Sequence, residues 1–85
     1  MDSSSHVTVL LFSALREKLG FSRLELDASM AHSVGEALSV LSAAHPAIAE
    51  YRPWIRPAVN RGYATDDTAL VAGDELALIT PVSGG

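Results

Sequence analysis

Cysteine is absent from the 85 residues of this sequence. The absence excludes disulfide bonds, a thiolate nucleophile, persulfide chemistry on the chain and cysteine-based zinc sites. A chain without cysteine is compatible with a reducing cytosol, although it does not require one.

Long apolar runs are also absent. No stretch of the sequence reaches the roughly 18 apolar residues that a membrane-spanning helix needs. The first six residues, MDSSSH, hold an early acid and lack the apolar segment of a secretory signal. We therefore expect a cytoplasmic protein without a membrane partner, in which residues 2–5 form a polar lead-in to the fold.

Basic residues are few in comparison with acidic ones. Six Lys and Arg stand against ten Asp and Glu, which gives a formal net charge of -4. Because a negatively charged domain repels the phosphate backbone, we expect no nucleic-acid partner.

The length of the chain indicates one domain, residues 1–85, with a globular core at 6–80 and a flexible tail at 81–85. Hydrophobic residues make up 48% and charged residues 19%, a composition that favours folding over disorder. A domain of this size buries only about 60% of the surface of its unfolded chain, which leaves little room for a deep pocket. We expect no independent active site, and any chemistry should take place at an edge of the domain or in a partner.

Hydrophobic alternation predicts the strands of a sheet. Residues 6–13 carry apolar side chains on both alternating faces, which indicates a central strand. Residues 22–27 alternate apolar and charged side chains, which is typical of a half-buried strand antiparallel to the first. Short edge strands are predicted at 58–59 and at 63–64, on either side of an Asn60-Arg61-Gly62 turn. A last strand is predicted at 75–80, where Leu76, Leu78 and Ile79 should be buried.

Capping signals predict the helices. Ser33 and Glu36 form a capping box at the start of a helix that should end near Ala44, because Pro46 disfavours helical geometry at the residue before it. A short helical turn is expected at 14–19, closed by Gly20. Another is expected at 47–50.

The order of these elements predicts the fold. The first and last strands are the most apolar and should be neighbours at the centre of the sheet. The main helix supplies the crossover that parallel neighbours require. The predicted fold class is α+β: a ubiquitin-like β-grasp, with a mixed sheet covered on one face by a main helix and followed by a flexible tail.

Few side chains suggest a catalytic or metal site inside this domain. His6, His32 and His45 share no metal-ligand spacing, so we expect them to be surface residues. No G-x-S-x-G elbow is present to support a serine nucleophile. The pair Asp66 and Asp67 is better explained by a turn than by acid–base catalysis.

Two other groups of residues have open interpretations. One group is basic, and its members lie within ten residues of one another: Arg52, Arg56 and Arg61. We favour the interpretation that they are ordinary solvated charges, and the alternative is that they form a surface for an acidic partner. Trp54, beside Tyr51, Pro53 and Ile55, is typical both of an interface anchor and of a cap on the end of a small core. The Gly73-Asp74 step is most simply a turn.

The C-terminal tail, Pro81-Val82-Ser83-Gly84-Gly85, has the clearest functional signal. Two terminal glycines arise by chance in roughly one chain in 200. Glycine has no Cβ and lets the backbone approach a surface closely, so the tail could enter a narrow channel and bring the Gly85 carboxylate to a partner's active site. Pro81 removes a ladder donor and should end the last strand.

This carboxylate needs activation before it can react. With a reference pKa of about 3.3 to 3.7 it is ionised at neutral pH and is a poor electrophile. Conversion to an acyl-adenylate by ATP, on a partner enzyme, would make it reactive toward sulfur or an amine.

The sequence resembles the small sulfur-carrier subunits of molybdopterin synthase. The likeness runs through VTVLLFSALREKLG at 7–20, Ala58-Val59-Asn60, and the closing GDELALI at 73–79 with Pro81-Val82-Ser83-Gly84-Gly85. Two prolines commonly precede the valine in this family, and Thr80 stands in place of the first.

This resemblance implies a carrier that binds no cofactor itself and uses ATP through its partner. Gly85 would be adenylated by a ubiquitin-activating-like enzyme and converted by a sulfur donor system to a thiocarboxylate, which suits a chain without cysteine. The carrier would then insert residues 81–85 into the large synthase subunit, in a heterotetramer, and donate sulfur to cyclic pyranopterin monophosphate.

Three other functions remain open. The chain could carry sulfur for thiamine, cysteine or tRNA thiolation, or it could be a ubiquitin-like modifier that is joined to lysines of target proteins. It could also be a plain binding module, whose function would not depend on Gly84 and Gly85.

Overall fold

A computed structural model describes residues 5–81 of the chain. Within them the strands and helices are β1 (His6–Leu11), α1 (Ser13–Leu19), β2 (Arg23–Asp27), α2 (Val34–Ala44), α3 (Pro46–Tyr51), β3 (Arg56–Val59), β4 (Gly62–Tyr63) and β5 (Glu75–Ile79). Two short 3-10 turns, Ala28–Met30 and Arg52–Trp54, join them.

The sheet has the order β2-β1-β5-β3-β4 and is mixed. β1 pairs antiparallel with β2 and parallel with β5, and β5 pairs antiparallel with β3. The prediction that the first and last strands are central neighbours is therefore confirmed, as is the ubiquitin-like β-grasp fold.

The hydrophobic core lies between one face of this sheet and the helices. Val9 pairs with Leu76 and Leu11 with Leu78, and all four side chains are buried. The helices cover these strands with buried side chains from all three of them: Leu15 of α1, Val34, Leu38 and Leu41 of α2, and Ile48 of α3.

The other face of the sheet has no helix over it. The apolar pattern on both faces of β1 correctly predicted a central strand, but Leu10 is only half-buried. Ile79 was predicted to be buried and is also only half-buried, because it shares the uncovered face with Leu10. A central position in the sheet thus does not bring burial on both sides.

Local signals place both ends of α2 where the sequence predicts them. The Ser33 hydroxyl accepts a hydrogen bond from the Glu36 N–H at 3.2 Å, and the Glu36 carboxylate accepts one from the His32 N–H at 2.8 Å. α2 ends at Ala44, and Pro46 then occupies the first turn of α3, where its missing N–H costs nothing. α3 is therefore longer than the turn predicted at 47–50.

Gly20 ends α1 as predicted. Its φ is 84°, in the left-handed region, and its N–H donates to the Arg16 carbonyl at 2.9 Å. Across residues 5–81, none of the helices is both long enough and apolar enough to cross a bilayer.

Leu41 provides a test of this core. It is 2% exposed and lies on the face of α2 that meets the sheet. We expect Leu41→Ala to lower the free energy of unfolding by about 2 to 5 kcal/mol, because the truncation leaves a cavity. Urea denaturation followed by circular dichroism would measure the change.

The matched control is Val71→Ala, since Val71 is 62% exposed in a loop. This truncation should change the free energy of unfolding by less than about 0.5 kcal/mol. Equal effects of the two substitutions would contradict the position of α2 over the sheet.

Candidate functional site

The tail leaves the fold from the centre of the sheet. β5 ends at Ile79, and the next residue, Thr80, is 3% exposed. The Thr80 hydroxyl lies 3.5 Å from the Phe12 carbonyl oxygen, and the Phe12 N–H donates to the Leu78 carbonyl at 3.3 Å. The end of β5 is thus held against the junction between β1 and α1.

Pro81 is the first predicted tail residue and is exposed just beyond this anchored end. The predicted tail residues Val82, Ser83, Gly84 and Gly85 lie outside the described residues, so their roles remain predictions. Any four extended residues span at most about 14 Å, so a partner that reaches Gly85 must come close to Pro81.

The uncovered face of the sheet presents an apolar surface, which we call the open face. It surrounds a shallow cavity of about 460 Å³. Tyr63 is 80% exposed there and Phe12 is 40% exposed. The residues that line the cavity are Leu10, Phe12, Ala58, Arg61, Tyr63, Glu75, Ala77 and Ile79. Exposed apolar surface next to charged side chains is typical of a protein interface.

The three arginines grouped by the sequence separate in the structure. Arg61 lines the open face, and Arg56 is opposite Ile79 in the register, on the same side of the sheet. Arg52 instead lies 3.5 Å from the Asp66 carboxylate and 3.3 Å from the Ser39 hydroxyl, so it links the 3-10 turn to α2 and a loop. Of these three arginines, Arg56 and Arg61 are the two placed to meet a partner at the open face.

An Asn60–Asp74 pair fixes the turn that carries Arg61. The Asn60 side chain donates to the Asp74 carboxylate at 3.0 Å and accepts from the Glu75 N–H at 3.0 Å. Asn60 and Arg61 both have positive φ, 50° and 74°, as a tight turn between β3 and β4 requires. The predicted turns at 60–62 and at Gly73-Asp74 are confirmed.

A second hollow adjoins the start of the tail, and we call it the tail-root cleft. Its volume is about 650 Å³. Ser13, Ala14 and Glu17 of α1 line it on one side, Tyr51 and Trp54 on another, and Thr80 and Pro81 at the base of the tail.

Trp54 belongs to this cleft and does not cap the core. Its side chain is 57% exposed, and its ring meets Tyr51 edge to face, with ring centroids 6.5 Å apart. Of the two interpretations that the sequence left open, the structure favours an interface residue.

The other candidate side chains form no common site. His45 packs edge-on against Phe21, while His32 lies 3.8 Å from Glu36. Asp66 and Asp67 lie in a turn, whose Thr65 N–H donates to the Thr68 hydroxyl at 3.0 Å. Between residues 5 and 81, no three His, Cys, Asp or Glu side chains are grouped so as to hold a metal ion.

The sequence indicates where the tail begins, but it does not predict the open face or the tail-root cleft beside it. Tyr63 lies on a strand of two residues, too short for alternation to show its face. Glu17, Trp54 and Thr80 come from three separate parts of the sequence, and only the folded chain brings them to one cleft.

These features define a class of protein, a ubiquitin-like β-grasp domain whose last described residue, Pro81, is exposed beside the end of the central strand β5. The family model described as the ThiS family matches residues 9–85. The chain therefore belongs to the ThiS family.

Two relatives of this chain have names that describe different functions. The molybdopterin synthase sulfur carrier subunit of Arabidopsis thaliana is 36% identical over 83 residues, which cover 98% of this chain and 86% of that protein. The small archaeal modifier protein 1 of Haloferax volcanii is 39% identical over 83 residues, which cover 88% of this chain and 95% of that protein.

Solved structures show the same fold. The crystal structure of SAMP1 from Haloferax volcanii has a TM-score of 0.79 at 36% identity and covers 94% of this chain and 99% of that chain. A complex of subunits 1 and 2 of molybdopterin-converting factor from Helicobacter pylori contains a chain with a TM-score of 0.68 at 23% identity. That match covers 94% of this chain and 99% of that chain.

Proposed function

We propose that this protein is a sulfur carrier that holds sulfur as a thiocarboxylate on Gly85. The observation that carries the proposal is that the family match extends through residue 85, so it includes the Gly-Gly end. The named function of the Arabidopsis thaliana relative supports it. With no cysteine in the chain, the C-terminal carboxyl group is the natural position for the sulfur.

The chemistry begins with activation of the Gly85 carboxylate. An oxygen of this carboxylate attacks the α-phosphorus of ATP on a ubiquitin-activating-like enzyme, and pyrophosphate leaves. A sulfur donor system then delivers sulfur at the sulfide level, as a hydrosulfide equivalent, to the acyl-adenylate carbon. The new C–S bond forms as the bond from this carbon to the AMP oxygen breaks, and AMP leaves with the bonding electrons. The chain itself binds no cofactor in this scheme, because the partner holds the ATP.

The fold suits a chain that presents its end and leaves catalysis to partners. Thr80 is anchored at the centre of the sheet, while Pro81 has no N–H to extend the ladder. The tail thus begins from an anchored position, with the open face beside it for docking.

The sulfur acceptor that we propose is cyclic pyranopterin monophosphate, held by the large subunit of molybdopterin synthase in a heterotetramer. The Helicobacter pylori chain, which shares this fold, is in complex with subunit 2, and this supports a large-subunit partner. Carriers for thiamine, cysteine or tRNA thiolation would use the same carboxylate chemistry with another acceptor.

The sulfur-carrier function predicts a mass change that depends on the tail. After incubation with ATP, the cognate adenylating enzyme and a sulfur donor, the full chain should gain the mass of one sulfur in exchange for one oxygen. A chain without Gly84 and Gly85, or one extended beyond Gly85, should keep its original mass. Neither variant places a terminal carboxylate at the position that Gly85 takes in the active site of the enzyme. Intact-mass spectrometry measures both results.

Glu50→Gln is the control, since Glu50 is an exposed side chain of α3 that lines neither the tail-root cleft nor the open face. It should accept sulfur as the unmodified chain does. An unchanged mass in the full chain, with an enzyme that is active on another carrier, would refute the proposal.

A second function is favoured by one observation, the 39% identity to a protein named as a modifier. In that function an amine of a target lysine, not sulfur, attacks the activated Gly85. Immunoblots of cells that express a tagged chain would then show high-mass conjugates that are lost on deletion of Gly84 and Gly85.

Lys18→Arg is the control for attachment of one copy of the chain to another. Lys18 is the single lysine, so a band that disappears in this variant comes from attachment to the Lys18 side chain.

A further inference from the structure

We propose that the tail-root cleft receives an arginine side chain of the adenylating enzyme. This inference rests on the proposed function, since it names how the enzyme that activates Gly85 recognises the domain. Three features of the cleft support it: its position, its aromatic wall and its charge.

The position of the cleft requires the enzyme to cover it. Thr80 and Pro81 line the cleft, and only four residues separate Pro81 from the end of the chain. Four residues reach at most about 14 Å, and the two final glycines let the backbone lie close to the enzyme surface. An enzyme that holds Gly85 in its active site therefore brings its surface against the cleft.

The aromatic wall offers a binding surface for a planar cation. Trp54 is the most exposed part of this wall, at 57%, and Tyr51 supports it edge to face. The face of an indole ring carries negative charge density and attracts a cation that lies over it. Between residues 5 and 81, the edge-to-face contact with Tyr51 is the one aromatic ring contact of Trp54.

The cleft carries a negative charge, which attracts a cation. Glu17 is exposed on the α1 side and is the single charged side chain that lines the cleft. Within the described part of the chain it forms no ion pair. Arg16 and Lys18 are its neighbours on α1, but adjacent helical residues point in different directions. The nearby Arg52 is held by Asp66 and Ser39.

Arginine fits this combination better than lysine does. A guanidinium group is planar, so it can stack on Trp54 while its N–H groups donate to the Glu17 carboxylate. A lysine ammonium can make either contact but lacks the flat surface for stacking. A partner with an acidic or purely aliphatic side chain at this place would leave Glu17 without a counterpart.

A titration without any enzyme tests whether the cleft binds a guanidinium group. Trp54 is the single tryptophan, so indole fluorescence reports on the cleft alone. N-acetyl-argininamide should change this fluorescence saturably in the millimolar range, and the neutral N-acetyl-citrullinamide should not. Glu17→Gln should weaken the binding about threefold, as expected for one exposed ion pair. Glu50→Gln should leave it unchanged.

Two results of the titration would overturn the inference. One is an equal response to the arginine and citrulline probes, which would show that charge is not recognised. The other is the absence of a saturable response to the arginine probe at the highest soluble concentration. Neither result depends on whether the chain carries sulfur.

Adenylation kinetics test whether the enzyme uses the cleft. Glu17→Arg and Trp54→Ala should each raise the KM for the carrier about tenfold, the size expected for the loss of a cation contact, and should leave kcat unchanged. Glu50→Arg should leave both constants unchanged. Circular dichroism would confirm that the variants are folded, as expected for substitutions at exposed side chains.

The results distinguish this inference from the proposed function. If the unmodified chain is never adenylated, the proposed function fails, and the fluorescence titration still decides whether the cleft binds a cation. If the unmodified chain is adenylated and the Glu17 and Trp54 variants keep its KM, the inference is wrong and the proposed function stands.

Discussion

The parallel pairing of β1 with β5 is the interaction on which the rest of the structure depends. It joins the start of the chain to its end, and its buried pairs, Val9 with Leu76 and Leu11 with Leu78, lie at the centre of the core. Parallel neighbours need a long crossover connection, and here that connection contains α2, which covers one side of the pair. The same pairing sets the place where the tail leaves the sheet.

Under the proposed function, this placement explains how a small domain can present its C-terminus to an enzyme that carries out the reaction. The end of β5 is fixed by its neighbours on both sides, so Pro81 starts from a defined position. The open face and the tail-root cleft lie on either side of that position, one lined by Ile79 and the other by Thr80 and Pro81. In the proposed function, a partner that binds these surfaces gains affinity and also receives the tail in a defined direction.

Much of the fold could be predicted from the sequence because its signals are local. The capping box at Ser33 and Glu36, the left-handed Gly20 and the interruption before Pro46 each fix one boundary through their immediate neighbours. The surfaces could not be predicted in the same way. Apolar residues on both faces of β1 do not reveal which face the helices cover, and the partners of Arg52 come from distant parts of the sequence.

The central claim is that the open face and the base of the tail form one docking surface for the protein that receives the tail. Nuclear magnetic resonance of the isotope-labelled chain, titrated with the unlabelled large synthase subunit, tests it most directly. The account predicts the largest amide shifts at Phe12, Tyr63, Ala77 and Thr80, with little change along the exposed side of α2. Shifts concentrated on α2, with the open face unaffected, would contradict it.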